Sequence, residues 1–188
     1  MVNKNYILAY TEYMSALTDD TITDELRTSF LTQCSTEENV EYDYVLSEIF
    51  YIFARKVANN DLSIEAALCT IKEEYNALPL SNVLGDFSKL EKFIETSLKA
   101  AKSSHTPLDK YMSFLSLFRE HAELHDCVKY AIGLMVLRSL TISYQVAAGN
   151  MDTVKELSAI IKSYDEEPVF SQAMMDIMAY TVGPKIVL

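Results

Sequence analysis

The chain has 188 residues, enough for one domain, and a chain of this length buries about 70% of its unfolded surface, so its core needs no metal or disulfide. Hydrophobic residues make up 49% and charged residues 23%, which excludes a disordered chain, and only four glycines and four prolines argue against an all-β sandwich rich in tight turns. The net charge of -11 argues against direct contact with nucleic-acid phosphates, because such binding requires a cationic face.

In chain order the pattern is helix after helix. Asn3 caps a first helix over Lys4 to Leu17, with Tyr6, Ile7, Tyr10, Tyr13, Met14 and Leu17 along one side, and Asp19-Asp20 ends it. Thr21 or Thr23 caps a short second helix carrying Leu26, Phe30 and Leu31. Ser35-Thr36-Glu37-Glu38 has the Ser-x-x-Glu form of a capping box ahead of a long helix, Val40 to Ala58. That helix is apolar almost all round between Tyr44 and Ala54, which marks a central element. Asn59-Asn60-Asp61 is a turn, Asp61 or Ser63 caps a helix through Ala77, and Pro79 stops it. Leu80 to Gly85 reads as a connector. A helix then runs from Asp86 to about Lys102, its polar face carrying Lys89, Lys92, Lys99 and Lys102 between Glu91 and Glu95.

Thr106-Pro107 opens the next stretch, Leu108 to Ala148, which divides near His125-Asp126. Its second half, Cys127 to Ala148, is the most apolar element of the chain. Asn150 caps a helix from Met151 to Tyr164, and Glu166-Glu167-Pro168 opens a last one through about Tyr180, followed by an apolar tail, Lys185 to Leu188. The expected fold is all-α: a single compact bundle of eight or nine helices over residues 1–188, around two apolar central helices at 40–58 and 127–148. Residues 1–58 form an acidic N-terminal group and 59–188 the remainder.

The three cysteines, Cys34, Cys69 and Cys127, are an odd number and widely spaced, which predicts free thiols and a cytoplasmic setting. The N-terminus has no basic start followed by an apolar run, so no secretory signal is expected, and Arg138 and Gln145 inside the most apolar stretch argue against a membrane span.

Charge is uneven. Residues 1–50 hold ten acidic residues against Lys4 and Arg27, which accounts for eight of the eleven net negative charges. Such a field steers cationic partners, although carboxylates also serve helix N-termini and solubility. Asp19, Asp20, Asp24, Glu25, Glu37, Glu38, Glu41 and Asp43 are the candidate partner-binding residues. The expected function is a non-enzymatic acidic helical protein that captures or inhibits a basic protein partner, as immunity proteins, inhibitors and anti-defence factors do. No direct nucleic-acid contact, membrane, cofactor or metal is expected.

Enzymatic signatures are sparse. The glycines at 85, 133, 149 and 183 are isolated, so neither a phosphate-binding loop nor a dinucleotide fingerprint is present, and no G-x-S-x-G elbow occurs. Arg119-Glu120-His121-Ala122-Glu123-Leu124-His125 puts two imidazoles one helical turn apart, a spacing that suits one metal if a third ligand such as Glu120, Cys127 or His105 joins them. The arginine and the last histidine of this stretch also resemble the paired signature of HEPN ribonucleases, all-helical domains in which both residues contact the scissile phosphate across a dimer. The resemblance covers seven residues with two defined positions, and Glu120 stands where that family usually has Asn, Asp or His. It implies, as the enzymatic alternative, a ribonuclease or metal-dependent hydrolase using Arg119, His121 and His125. Arg138 requires a carboxylate such as Glu48 or Asp176 if buried. Met174, Met175 and Met178 with Ile186-Val187-Leu188 suit a contact patch in a larger assembly, a third reading, and a mean hydropathy of +0.05 leaves room for a homo-oligomer interface.

Overall fold

The Asn3 side chain accepts the Asn5 backbone N–H and so starts α1, Lys4–Thr18, at the capping residue expected from the sequence. The structure, a computed structural model, describes residues 3–102, and every described element is an α-helix. The elements expected beyond Lys102, including the central helix at 127–148 and the residues Arg119, His121, His125, Arg138, Met174, Met175 and Met178, lie outside the described residues, as does the eight-or-nine helix count.

α1 ends where Asp20 turns left-handed (φ 56) and the Thr21 N–H reaches back to the Ala16 carbonyl. Aspartate is among the few non-glycine residues that tolerate this conformation. Thr23 then caps α2, Asp24–Thr36, its hydroxyl accepting the Leu26 N–H. α3, Tyr42–Ala58, closes with the same device as α1: Asn60 is left-handed (φ 63) and the Asp61 N–H bonds the Lys56 carbonyl. Ser63 caps α4, Ile64–Ala77. α6 spans Phe87–Lys102, and the Asp86 carboxylate accepts the Ser88 N–H at its start.

Two local expectations are corrected. Ser35 and Thr36 do not form a capping box. They occupy the last turn of α2, where their hydroxyls donate to the Thr32 and Gln33 carbonyls, and α3 starts later, after Glu41, with no side-chain cap. The segment after Pro79 is not a plain connector but a one-turn helix, α5, Leu80–Leu84. Leu80 and Leu84 are four residues apart and both buried, so the gain from covering them folds the turn onto α3 and α4. Gly85 ends it at φ 98, a value that favours glycine.

α3 is the hub, packing against α1, α4, α5 and α6. Its run from Val45 to Ala54 is buried except at Glu48, which is partly covered, in agreement with the expected central role. α6 lays Leu90, Phe93, Ile94 and Leu98 against α3 and α4. Each such side chain contributes about 2 kcal/mol by burial. The half-exposed Lys72–Glu91 pair between α4 and α6 (3.7 Å) is worth at most about 1 kcal/mol, so burial dominates the seating of α6. α2 runs antiparallel to α1, and Phe30 stacks on Tyr13 with ring centroids 4.9 Å apart. No described helix is long and apolar enough to cross a membrane.

Candidate functional site

The antiparallel α1–α2 hairpin sorts the eight candidate carboxylates into two groups. Asp19, Asp20, Asp24 and Glu25 flank the α1–α2 turn. Glu37, Glu38, Glu41 and Asp43 flank the α2–α3 connection at the other end of α2. α2, thirteen residues long with about 20 Å of rise, begins at Asp24 and Glu25 and ends just before Glu37. The eight therefore do not share one face.

The first group is largely engaged by its own chain. Asp20 meets the ammonium of Lys56 at 2.5 Å, and that ammonium also donates to the Leu17 carbonyl at 2.9 Å. Lys56 thus closes the C-terminal end of α1 with a cation where the helix dipole is negative. Asp24 pairs with Arg27 at 2.6 Å. Asp19 accepts a long bond from the Ser15 hydroxyl. Glu25 is exposed in the first turn of α2, where its own backbone N–H and the Thr23 hydroxyl hold its carboxyl below the usual range.

The second group differs in kind. Glu37 accepts the Asn3 backbone N–H at 2.9 Å and so ties the start of α1 to the end of α2. Glu38 and Glu41 are exposed, and no lysine or arginine among the described residues lies within ion-pair distance of Glu37, Glu38 or Glu41. Tyrosines surround this end. The Tyr6 phenol is pushed up to about 12, first by burial and then by Cys34, Glu37, Tyr42 and Glu41. Tyr42 is also raised, by burial and Cys34, and Tyr44 is 37% exposed. Carboxylates with no described cation in ion-pair distance, set beside tyrosine rings, can attract a cationic surface while the rings supply rigid contact area.

Two surface concavities adjoin these ends. A cleft of about 510 Å³ runs along α2 and is lined by Asp24, Glu25, Thr28, Ser29, Thr32 and Gln33, all polar, with no apolar anchor. A larger groove of about 660 Å³ lies between α1 and α3, lined in part by Tyr10, Met14, Tyr51 and Ile52. Glu48, Arg55 and Asp61 also line it. This groove was not foreseen from the sequence, because it exists only once α1 and α3 lie side by side.

The sequence reading also missed Glu74. It is 0% exposed, and its carboxylate accepts the Tyr13 hydroxyl at 2.8 Å and the Arg27 guanidinium at 2.6 Å. Burial and this carboxylate together push the Tyr13 phenol far above its ordinary value. A signal was present: Glu74 falls on the apolar stripe of α4 with Ala67, Ile71, Tyr75 and Leu78. The group joins α1, α2 and α4. Among the described residues no cluster of histidine, cysteine and carboxylates has the geometry of a metal site. Comparison with known proteins finds no matching family model, curated protein or solved structure.

Proposed function

We propose that the chain is a non-enzymatic binding protein that captures a basic protein partner, and that the end built by Glu37, Glu38 and Glu41 with Tyr6, Tyr42 and Tyr44 is where it does so. The observation that carries this reading is the contrast between the two acidic ends. Lys56 pairs with Asp20 and Arg27 with Asp24 at the α1–α2 turn, leaving Asp19 and Glu25 without a cation, whereas no described cation pairs with any of Glu37, Glu38 or Glu41 at the α2–α3 connection. Glu38 and Glu41 keep their charge in solvent, where it raises the encounter rate of a cationic partner. The neighbouring tyrosines add contact area with little side-chain entropy to lose, a property common at binding hot spots.

The test is affinity capture from host extract with quantitative mass spectrometry, comparing wild type with two double reversals. Glu38→Lys/Glu41→Lys is expected to lose the basic proteins that wild type retains. Asp19→Lys/Glu25→Lys is expected to keep them, since it leaves the Lys56 and Arg27 pairs in place. Equal retention by both variants, with circular dichroism showing both folded, rejects the assignment.

A further inference from the structure

We propose that α2 is a strap that opens as a unit while α3, α4 and α6 stay packed, with Arg27 on Glu74 as its fastening. Burial sets the contrast. α2 buries two of its thirteen residues, Phe30 and Cys34, whereas α1 buries five of fifteen, α4 four of fourteen and α6 six of sixteen. Leu26 and Leu31 are partly covered, and Thr28, Ser29 and Thr32 face solvent. Burial supplies most of what holds a helix in place, so α2 is the most weakly held of the four.

The contacts that seat α2 are concentrated on α1. Phe30 is a peg among three tyrosines of that helix, its ring centroid 5.9 Å from Tyr6, 6.0 Å from Tyr10 and 4.9 Å from Tyr13. Cys34 follows one turn later on the same side. Past the C-terminal end of α2, Glu37 accepts the Asn3 backbone N–H, again from the α1 side. The fastening to α4 is different in kind. The Arg27 guanidinium donates to both Glu74 oxygens at 2.6 to 3.1 Å, and Glu74 is fully buried. Losing that cation leaves a buried charge without its partner, so α2 is held until the fastening breaks and then leaves whole. α1 stays behind, because it also packs on α3. At the other boundary α3 starts without a side-chain cap, so no bond of that kind ties its first turn to the segment that follows α2. Opening uncovers Phe30 and Tyr13, which are 1% and 0% exposed when α2 is seated, together with Cys34. It also moves Glu37 and Glu38, which follow directly on α2, so the strap sets whether the proposed binding end is assembled. The opening itself stands on packing and holds whether or not a basic partner is found.

The test uses the full chain under native conditions with two measurements: peptide-resolved amide hydrogen exchange, and N-ethylmaleimide alkylation located by peptide mass spectrometry. The Cys34 thiol is covered and burial pushes it up to about 11, so it reacts when α2 opens, while the exposed Cys69 reports the reagent itself. Amides of residues 27–36 are expected to exchange at least about a hundredfold faster than those of residues 45–54 on α3, with a shallower urea dependence, and Cys34 alkylation is expected to follow the α2 rate. Leu98→Ala opens a cavity beneath α6, where Leu98 is 1% exposed. It is expected to speed exchange on α3 and α6 and to leave the Cys34 rate unchanged. Arg27→Met is expected to speed Cys34 alkylation at least about tenfold. Circular dichroism checks the fold of both variants, and the wild-type ratios decide the matter if either fails to fold. One shared rate and urea slope for α2 and α3 overturns the strap. So does a Cys34 rate that rises in Leu98→Ala by the same factor as exchange on α3. Cys34 alkylated as fast as Cys69 in the wild type shows that α2 is not seated and overturns it too. A Cys34 rate unmoved by Arg27→Met overturns the fastening.

Discussion

Glu74 shows how a single buried carboxylate constrains three helices at once. Its partners come from positions 61 and 47 residues earlier in the chain, Tyr13 on α1 and Arg27 on α2. Removing one member of such a group leaves a charge in the interior without compensation. Arg27→Met is therefore expected to lower stability by about 3 kcal/mol, read from urea unfolding. The triple variant Tyr13→Phe/Arg27→Met/Glu74→Leu removes every polar member together and is expected to recover most of that loss. A triple variant as unstable as the single one would mean that the loss lies in packing and not in the charge. The tyrosines give a second residue-scale prediction. Tyr6 and Tyr75 are both pushed up to about 12 from 10, chiefly by burial. Each holds its proton more tightly folded than unfolded. Their contribution is then fully present below pH 10 and is lost as the pH rises through about 12. The urea midpoint is expected to fall over that window, with tyrosinate absorbance from these rings appearing together with unfolding. A flat midpoint there would contradict the burial argument.

At the scale of the element, the helix ends record which local rules the chain follows and where it departs from them. Asn3, Thr23 and Ser63 each place a side-chain oxygen on a first-turn N–H; the sequence names Asn3 outright and narrows the others to Thr21 or Thr23 and to Asp61 or Ser63, because capping is decided within four residues. α3 departs from the rule. Glu41 occupies its capping position and makes no capping bond, although serine or aspartate would. Glu41→Ser is expected to raise stability by about 0.5–1 kcal/mol in thermal or urea unfolding. If Glu41 serves the binding end, the same variant weakens partner capture, and stability and function move in opposite directions. A destabilised Glu41→Ser would show that the glutamate supports α3 in some other way. The failed capping box at Ser35 and the unforeseen α5 share one cause. Neither is set by its own residues alone: the packing of α2 through Phe30 and Cys34, and the burial of Leu80 and Leu84, decide them.

For the whole molecule, the concentration of negative charge in the first fifty residues has a measurable consequence. Partner association is expected to slow as salt is raised, because exposed carboxylates such as Glu38 and Glu41 act over a screening length of about 10 Å at 0.1 M ionic strength. Stopped-flow association across a salt series reads this directly. Association rates that do not change with salt would remove electrostatic steering from the account, and dissociation rates are expected to change less. The hairpin topology also limits how much of that charge one partner can meet, since the two acidic groups stand about 20 Å apart along α2. By itself the amino-acid order determined the all-helical class of the described residues, the start of α1, the starts of α2 and α4 to within two residues, the breaks at Asp19-Asp20 and Asn59-Asn60-Asp61, and the central place of α3. These follow from capping, backbone sterics and hydrophobic periodicity, all of which act within one or two turns. Only the tertiary structure decided that Lys56 answers Asp20, that Glu74 lies buried between Tyr13 and Arg27, and that Glu38 and Glu41 face solvent without a described cation beside them. Each of these depends on which helices become neighbours, and that is set by burial summed over the whole core, a quantity no local window of sequence contains.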